Sequence, residues 1–110
     1  MSKLVYICHP YSNNPDVNRI KFNRIFKFVR NNFEEVVPFS PIHAFGEFYD
    51  DNRKEDRKEV LKLCIDVLKR CDEVWVFGDW RNSEGCRLEV KIAEETGIKI
   101  KKFTMKILEF

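Results

Sequence analysis

The sequence has 110 residues, of which 44% are hydrophobic and 35% are charged, and its formal net charge is +2. This balance is ordinary for a soluble globular protein, and the charge is too mild to indicate binding to a nucleic-acid polymer. A membrane-spanning segment is also excluded, because no apolar run approaches the roughly 20 residues that cross a bilayer.

The cysteines and the first residues bear on the cellular compartment. The four cysteines, at positions 8, 64, 71 and 86, form no C-x-x-C pair. We interpret them as reduced thiols of a cytoplasmic protein, located in the core or near the site, since disulfides are rare in the cytosol. Lys3 leads directly into a strand-like run, which is not the pattern of a signal peptide.

We expect neither a metal nor a cofactor. A metal site is not expected because His9 and His43 lack the spacing of metal ligands.

The first third of the chain predicts a strand, a loop and a helix. Lys3–Cys8 is a nearly continuous apolar run, which is typical of a buried parallel strand. Residues 9–16 are rich in proline, asparagine and serine and predict a loop. Apolar side chains then repeat at helical spacing from Phe22 to Phe33, so a helix should follow, capped by Asn14 or Asp16.

A second strand begins at Val36 and Val37. Pro38 and Pro41 should end it, because proline cannot donate a ladder hydrogen bond. Residues 39–56 form the longest irregular stretch of the sequence, and long loops in compact domains often serve as lids or binding loops.

The second half predicts a helix, a strand, a helix and a strand, at about Lys54–Arg70, 72–78, Glu84–Thr96 and 98–103. Gly97 is suited to cap the last helix, because glycine readily adopts the left-handed conformation found there. The tail, residues 104–110, fits a strand or a short helix.

The alternation of strands and helices predicts a single α/β domain over residues 1–110. We expect a flavodoxin- or Rossmann-like three-layer sandwich with a central, mostly parallel sheet of four to five strands. Such sheets bind ligands beyond the carboxyl ends of their strands. Residues 9–15, 38–52 and 78–84 should therefore meet at one site.

The start of the last helix has the features of that site. Ser83 can cap the helix, and the free N–H groups of its first turn attract anions such as phosphate. Glu89 lies four residues after Gly85, so both occupy one helical face, and side chains lean toward the helix N-terminus. The Glu89 carboxylate should therefore reach toward the space that glycine leaves open. A solvated surface acid remains the alternative for Glu89, and a simple N-cap for Ser83.

Three segments identify a resemblance that covers nearly the whole chain: "VYICHPYS" (5–12), "CDEVWVFGDW" (71–80) and "SEGCRLEVKIA" (83–93). They resemble the nucleoside 2-deoxyribosyltransferase-like superfamily, which includes 2′-deoxynucleoside 5′-monophosphate N-glycosidases. The chain is most similar to an uncharacterised branch common in phages and bacteria. The resemblance implies the fold predicted above and, in most members, assembly as homodimers or larger oligomers.

The resemblance also implies roles for individual residues. Glu89 corresponds to the nucleophile that attacks the anomeric carbon of the sugar, and the Ser83 side chain and Gly85 amide to groups that hold its 5′-hydroxyl or 5′-phosphate. The loop His9–Pro10–Tyr11–Ser12 corresponds to the loop beneath sugar and base, where Tyr11 is suited to stack on a nucleobase. Packing within the loop is the alternative for His9 and Tyr11.

One position departs from the superfamily. Its characterised enzymes carry an aspartate eight residues before the one that opens the third strand, and here that position is Cys64. Asp66 replaces that acid only if its helix presents it differently. Help from a general acid is worth a factor of about 10² to 10⁴. A slow enzyme, an enzyme with another acid and a pocket that binds without cutting therefore all remain open.

Three further residues complete the candidate substrate-binding set: Gly78 at the end of the third strand, Trp80 just after it, and His43 in the long loop. Trp80 fits a pocket wall or a subunit interface, and His43 fits a lid. The leading hypothesis is cleavage or transfer at the N-glycosidic bond of a nucleoside or nucleoside 5′-monophosphate. The alternatives are non-catalytic binding of a nucleotide or nucleotide-derived signal in the same pocket, and a structural domain.

Overall fold

The computed structural model describes residues 2–10, 15–50 and 52–104. Their helices and strands are β1 (Lys3–Cys8), α1 (Pro15–Asn32), β2 (Val36–Phe39), α2 (Pro41–Phe45), α3 (Lys54–Leu68), β3 (Glu73–Phe77), α4 (Glu84–Thr96) and β4 (Lys99–Phe103). A short 3-10 turn, Trp80–Asn82, lies between β3 and α4. The tail, which fitted a strand or a helix, lies outside the described residues from position 105 onward.

The four strands form one parallel sheet in the order β2-β1-β3-β4. The central strands β1 and β3 are buried on both faces, and β3 is buried at all five positions. This burial explains their continuous apolar runs, because helices cover both faces of a parallel sheet. The predicted parallel α/β sheet is confirmed, with four strands in the described part of the chain.

Two hydrophobic clusters, one on each face of the sheet, make up the core. On one face the buried residues of β1 and β3 pack against α3 and α4, and this cluster contains Tyr6, Cys8, Cys64, Leu68, Val74, Val76, Cys86, Val90 and Ala93. On the other face they pack against α1, in a cluster that contains Val5, Ile7, Phe22, Ile25, Val29, Trp75 and Phe77. Alternate residues of a strand point to opposite faces, so this division confirms the three layers.

The structure corrects two boundaries in the middle of the chain. Pro38 lies inside β2 instead of ending it. Because β2 is an edge strand, it can lack one N–H donor and still pair with β1 on its inner side. The stretch that follows contains the five-residue helix α2, which begins at Pro41 and is capped by Ser40, whose side chain accepts a hydrogen bond from the His43 amide.

The helices of the described ranges lack the combination of length and apolar character that a membrane span requires.

The predicted C-cap of α4 is confirmed. Gly97 ends this helix with a φ of 75°, in the left-handed region that favours glycine.

Candidate functional site

The connection from β3 to α4 places the first turn of α4 at the carboxyl edge of the sheet. Gly78 follows β3 with a φ of 79°, which lets the chain turn sharply where the strand ends. After the 3-10 turn, Ser83 caps α4, and its Oγ accepts a hydrogen bond from the Cys86 amide at 3.3 Å. The cap predicted for Ser83 is therefore present, and the remaining free amides of the first turn are available to an anion.

The space beside this first turn is open. A Cβ atom added at Gly85 would meet no atom within 4 Å. Glu89 lies one turn further along α4, and only 8% of this residue is exposed to solvent. The alternative of a solvated surface acid is therefore excluded for Glu89, since its carboxylate is held inside the protein.

Two side chains of β1 hold the Glu89 carboxylate. The Tyr6 hydroxyl donates a hydrogen bond to Oε2, and the Cys8 thiol lies 3.7 Å from Oε1, to which it donates. Burial raises the pKa of Glu89 from 4.5 to about 7, while the hydrogen bonds from Tyr6 and Cys8 act to lower it. Near neutral pH the group can therefore exist as a nucleophilic carboxylate or as a proton donor.

The neighbours of Glu89 remain protonated and so act as donors. Burial, reinforced by the Glu89 charge, raises the pKa of Tyr6 well above its usual value. A hydrogen bond with the Cys86 thiol, followed by burial, raises the pKa of Cys8 well above its usual value. Burial raises the pKa of Cys64 to about 12, and its thiol lies within hydrogen-bonding reach of the Tyr6 hydroxyl.

A crevice of about 840 Å³ opens at the same edge of the sheet, on the α1 side. Four predicted substrate-binding residues line it, namely His9, Pro10, Gly78 and Trp80, together with the cationic side chains Lys21, Arg81 and Lys102. Glu89, Ser83 and Gly85 are not among its lining residues, because α4 lies on the opposite face of the sheet. The Trp80–Asn82 turn and Ser83 connect the crevice to the first turn of α4.

His9 is buried in the wall of this crevice. Its ring packs edge-on against Phe22, with the ring centres 5.3 Å apart, and no described residue hydrogen-bonds its Nδ1. Burial lowers the pKa of His9 to about 4, so the imidazole is neutral at pH 7. It therefore contributes a neutral polar ring to the wall of the crevice.

Trp80 is half-buried between two cations. The Arg81 guanidinium carbon lies 5.3 Å from the centre of the Trp80 ring, and the Lys102 Nζ lies 4.9 Å from it. Such contacts hold a cation over an aromatic face. They keep positive charge at the mouth of the crevice, which suits an anionic ligand.

The structure does not bring Asp66 to Glu89. The buried face of α3 carries Cys64 and Leu68, whereas Asp66 is exposed and borders a shallow groove on the opposite side of the helix. Cys64, at the position where the resemblance implies an acid, is the α3 residue that reaches Tyr6. A catalytic role for Asp66 thus has no geometric support within this chain.

His43 is held away from the crevice by its own partners. Its Nδ1 lies 2.7 Å from the Ser40 hydroxyl and its Nε2 lies 2.9 Å from Asn23 Oδ1. Since the amide oxygen can only accept, Nε2 carries the proton and Nδ1 accepts from the serine. This geometry fixes α2 against α1. Tyr11 and Ser12, the remaining predicted contacts, lie outside the described residues.

Sequence reasoning missed the side chains that hold Glu89. The sequence indicated Tyr6 only as part of an apolar strand and Cys8 as a reduced thiol of the core or near the site, yet their two-residue spacing places both on one face of β1. Cys86 and Glu89, three residues apart on α4, share a face in the same way. The cationic residues of the crevice come from separate elements, so no local pattern in the sequence marks them.

Comparison with known proteins identifies a family and a fold. Residues 3–103 match the model of a family described as "Domain of unknown function (DUF7768)". No curated protein matches the chain. Among solved structures, that of a 2-deoxyribosyltransferase from the psychrotolerant bacterium Bacillus psychrosaccharolyticus superposes with a TM-score of 0.66 and 18% sequence identity, covering 93% of this chain and 72% of that protein. At this identity the likeness shows the fold.

Proposed function

Because the chain belongs to the DUF7768 family, whose description names no activity, we propose its function from the site itself. We propose that it cleaves or transfers at the N-glycosidic bond of a nucleoside or nucleoside 5′-monophosphate, with Glu89 as the nucleophile. The observation that carries this proposal is the buried Glu89 carboxylate, held by Tyr6 and Cys8 behind the open first turn of α4. The fold likeness to a 2-deoxyribosyltransferase supports it.

The chemistry follows a two-step carboxylate route. An oxygen of ionised Glu89 attacks the anomeric carbon, the carbon–nitrogen bond breaks, and the base leaves with the bonding electrons and takes up a proton. Water or a second base then attacks the same carbon and releases Glu89 from the glycosyl ester. Tyr6 donates to Oε2 and Cys8 donates to Oε1, so both bonds position the carboxylate. We assign the attack to Oε1, because a thiol is the weaker donor of the two.

The cations of the crevice suit a phosphorylated substrate that reaches across the Trp80–Asn82 turn to the first turn of α4, because Glu89 itself does not line the crevice. Lys21, Arg81 and Lys102 line it, and the amides at the start of α4 are oriented to bind anions. A 5′-phosphate would gain charge-assisted hydrogen bonds from these groups. Neutral His9 and half-buried Trp80 then offer a polar ring and an aromatic face to the base.

Base release tests the proposal. The protein is incubated with deoxynucleosides, ribonucleosides and their 5′-monophosphates, and free base is measured by chromatography. We expect release from at least one monophosphate, and a covalent glycosyl adduct by mass spectrometry. Glu89→Gln should abolish both, while Asp66→Asn on the exposed face of α3 should retain them. Equal release by the Glu89→Gln variant would exclude the proposed nucleophile.

A second candidate function, binding without turnover, is favoured by the environment of Tyr6. Within the described part of the chain, the α3 side chain that reaches Tyr6 is the thiol of Cys64, whose pKa of about 12 makes it a poor acid for a leaving base. For this function, nucleotides should raise the melting temperature without releasing base. The thermal shift should shrink when Lys21 or Arg81 is replaced by glutamine.

A further inference from the structure

Two thiols and one carboxylate meet beneath the first turns of α4. Cys8 comes from β1, and Cys86 and Glu89 come from successive turns of α4, so the fold brings together groups that are far apart in the sequence. All three residues are buried, and one ligand atom from each lies within 4.8 Å of the other two. All four cysteines of the chain are free.

The separations fit tetrahedral coordination. Zn–S bonds of about 2.3 Å and Zn–O bonds of about 2.0 Å, opened to the tetrahedral angle, separate sulfur from oxygen by about 3.5 Å and the two sulfurs by about 3.8 Å. The Cys8 Sγ and Glu89 Oε1 atoms are already 3.7 Å apart. The other two separations are at most 4.8 Å, so modest rotamer changes would bring all three atoms to coordination distance.

We propose that Cys8, Cys86 and Glu89 form a binding site for a thiophilic divalent cation, with Zn²⁺ as the expected ion. Two thiolates and one carboxylate are a donor set that suits zinc, and three protein ligands leave a fourth position for water. Thiol protons are released on binding, as with other cysteine–zinc sites.

The surroundings of the cluster support this assignment. The Tyr6 hydroxyl bonds Oε2, which leaves Oε1 for the metal and orients the carboxylate as an outer hydrogen bond does in metal sites. The surface over the N-terminal end of α4 is open, because a Cβ atom added at Gly85 would meet no atom within 4 Å.

Zinc binding does not rest on the proposed function, although one consequence of it does. A metal on Oε1 occupies the oxygen to which we assign nucleophilic attack. If the protein releases base, added Zn²⁺ should therefore inhibit release in proportion to occupancy, and a chelator should restore it. Binding without any base release would support the metal site and count only against the glycosidase.

Cobalt spectroscopy tests the site directly. The full chain, reduced with a phosphine and freed of metal, is titrated with Co²⁺ and then with Zn²⁺ against a chromophoric chelator. We expect a thiolate-to-cobalt charge-transfer band with the strength of two sulfur ligands, strong visible bands of tetrahedral cobalt, and displacement of both by zinc.

Three variants locate the ion. Cys8→Ser and Cys86→Ser should each weaken zinc affinity by more than about 10-fold and reduce the charge-transfer band. Cys71→Ser is the matched control, because Cys71 is a buried thiol that bonds the Val67 carbonyl outside the cluster, and it should bind as the unsubstituted chain does. If a variant fails to fold, the intensity of the charge-transfer band of the unsubstituted protein still gives the number of sulfur ligands. Octahedral cobalt without a sulfur band, or unchanged affinity in Cys86→Ser, would overturn the proposal.

Discussion

At the scale of single residues, burial and hydrogen bonding act in opposite directions on the ionisation of Glu89. Burial favours its neutral form, whereas the Tyr6 and Cys8 hydrogen bonds favour its carboxylate, and burial prevails with a pKa of about 7. In the unfolded chain the pKa returns to its ordinary value of 4.5. Folding therefore disfavours ionisation of Glu89, and this links the stability of the protein to pH.

Replacing Glu89 should reveal this linkage. Its protonated form stabilises the fold fully below pH 4.5, and that stability is lost as the pH rises to about 7. The loss amounts to roughly 3 kcal/mol. Glu89→Gln does not titrate, so its free energy of unfolding relative to the unsubstituted chain should rise between pH 4.5 and 7. Urea unfolding at pH 5 and pH 8, with a chelator present, measures the difference.

Glu94→Gln provides the matched control, because Glu94 is an exposed glutamate of the same helix. Its effect on unfolding should be small and equal at both pH values. A Glu89→Gln effect that is likewise independent of pH would mean that the carboxylate titrates normally in the folded protein.

Cys64 offers a gain-of-function test at the residue scale. Cys64→Asp places a carboxyl group beside the Tyr6 hydroxyl, where burial should keep it protonated and able to donate to a leaving base. If the chain is a slow glycosidase, base release should rise by a factor of about 10². The substitution should cost about 1–3 kcal/mol of stability, as burying a polar group does. Rates from chromatography that stay unchanged would show that the missing acid is not what limits turnover.

At the scale of elements, α4 carries the candidate site because three local signals agree. Ser83 caps its first turn, Gly85 leaves the adjacent space open, and Gly97 ends the helix in the left-handed conformation. Ser83 and Gly97 define where the helix begins and ends, and none of the three residues fills the space beside its first turn. Ligand access can therefore be altered at Gly85 while the helix itself stays intact.

A matched pair of substitutions at Gly85 separates stability from access. Gly85→Ala should raise the free energy of unfolding by about 0.5–1 kcal/mol, because alanine favours a helix and its Cβ meets no atom here. Gly85→Leu should fold as well but fill the open space, so it should abolish nucleotide-induced thermal shifts. Retained binding by Gly85→Leu would place the ligand elsewhere. As a contrast, Gly97→Ala should destabilise, since its φ is 75°.

The sequence predicted the regular elements better than it predicted the site. Continuous apolar runs identify β1 and β3 because both strands are buried on both faces. The same burial hides Tyr6 and Cys8, since nothing in such a run marks which face meets α4. Glu89 was found because serine, glycine and glutamate lie within two turns of one helix. The crevice depends on the packing of α1 against distant loops, which local patterns do not encode.

At the scale of the whole molecule, the described surface leaves several large apolar side chains in contact with water. Phe48 is 79% exposed and Ile20 on α1 is 54% exposed. Contiguous apolar patches often mark contacts between proteins, whereas scattered apolar side chains are ordinary on a protein surface. The exposed side chains are compatible with the homo-oligomer that the superfamily resemblance implies, which remains a prediction.

Light scattering after size-exclusion chromatography tests this prediction. We expect the mass of at least two chains, and Phe48→Asp should shift it toward one chain, because burying the new charge at an interface is costly. Glu47→Gln, a change at the exposed neighbour of Phe48, should leave the mass unchanged. A one-chain mass for the unsubstituted protein at micromolar concentration would count against the oligomer.

The two edge strands of the sheet carry residues that hinder pairing with a strand from another molecule. On one border, β2 contains Pro38, which has no N–H to offer an incoming strand. On the other border of the sheet, as far as the described residues define it, β4 carries Lys99, Lys101 and Lys102, whose charges repel a second copy of the same strand. A chain with ten phenylalanines is thereby hindered from extending its sheet into fibrils, even when crowded or freshly synthesised.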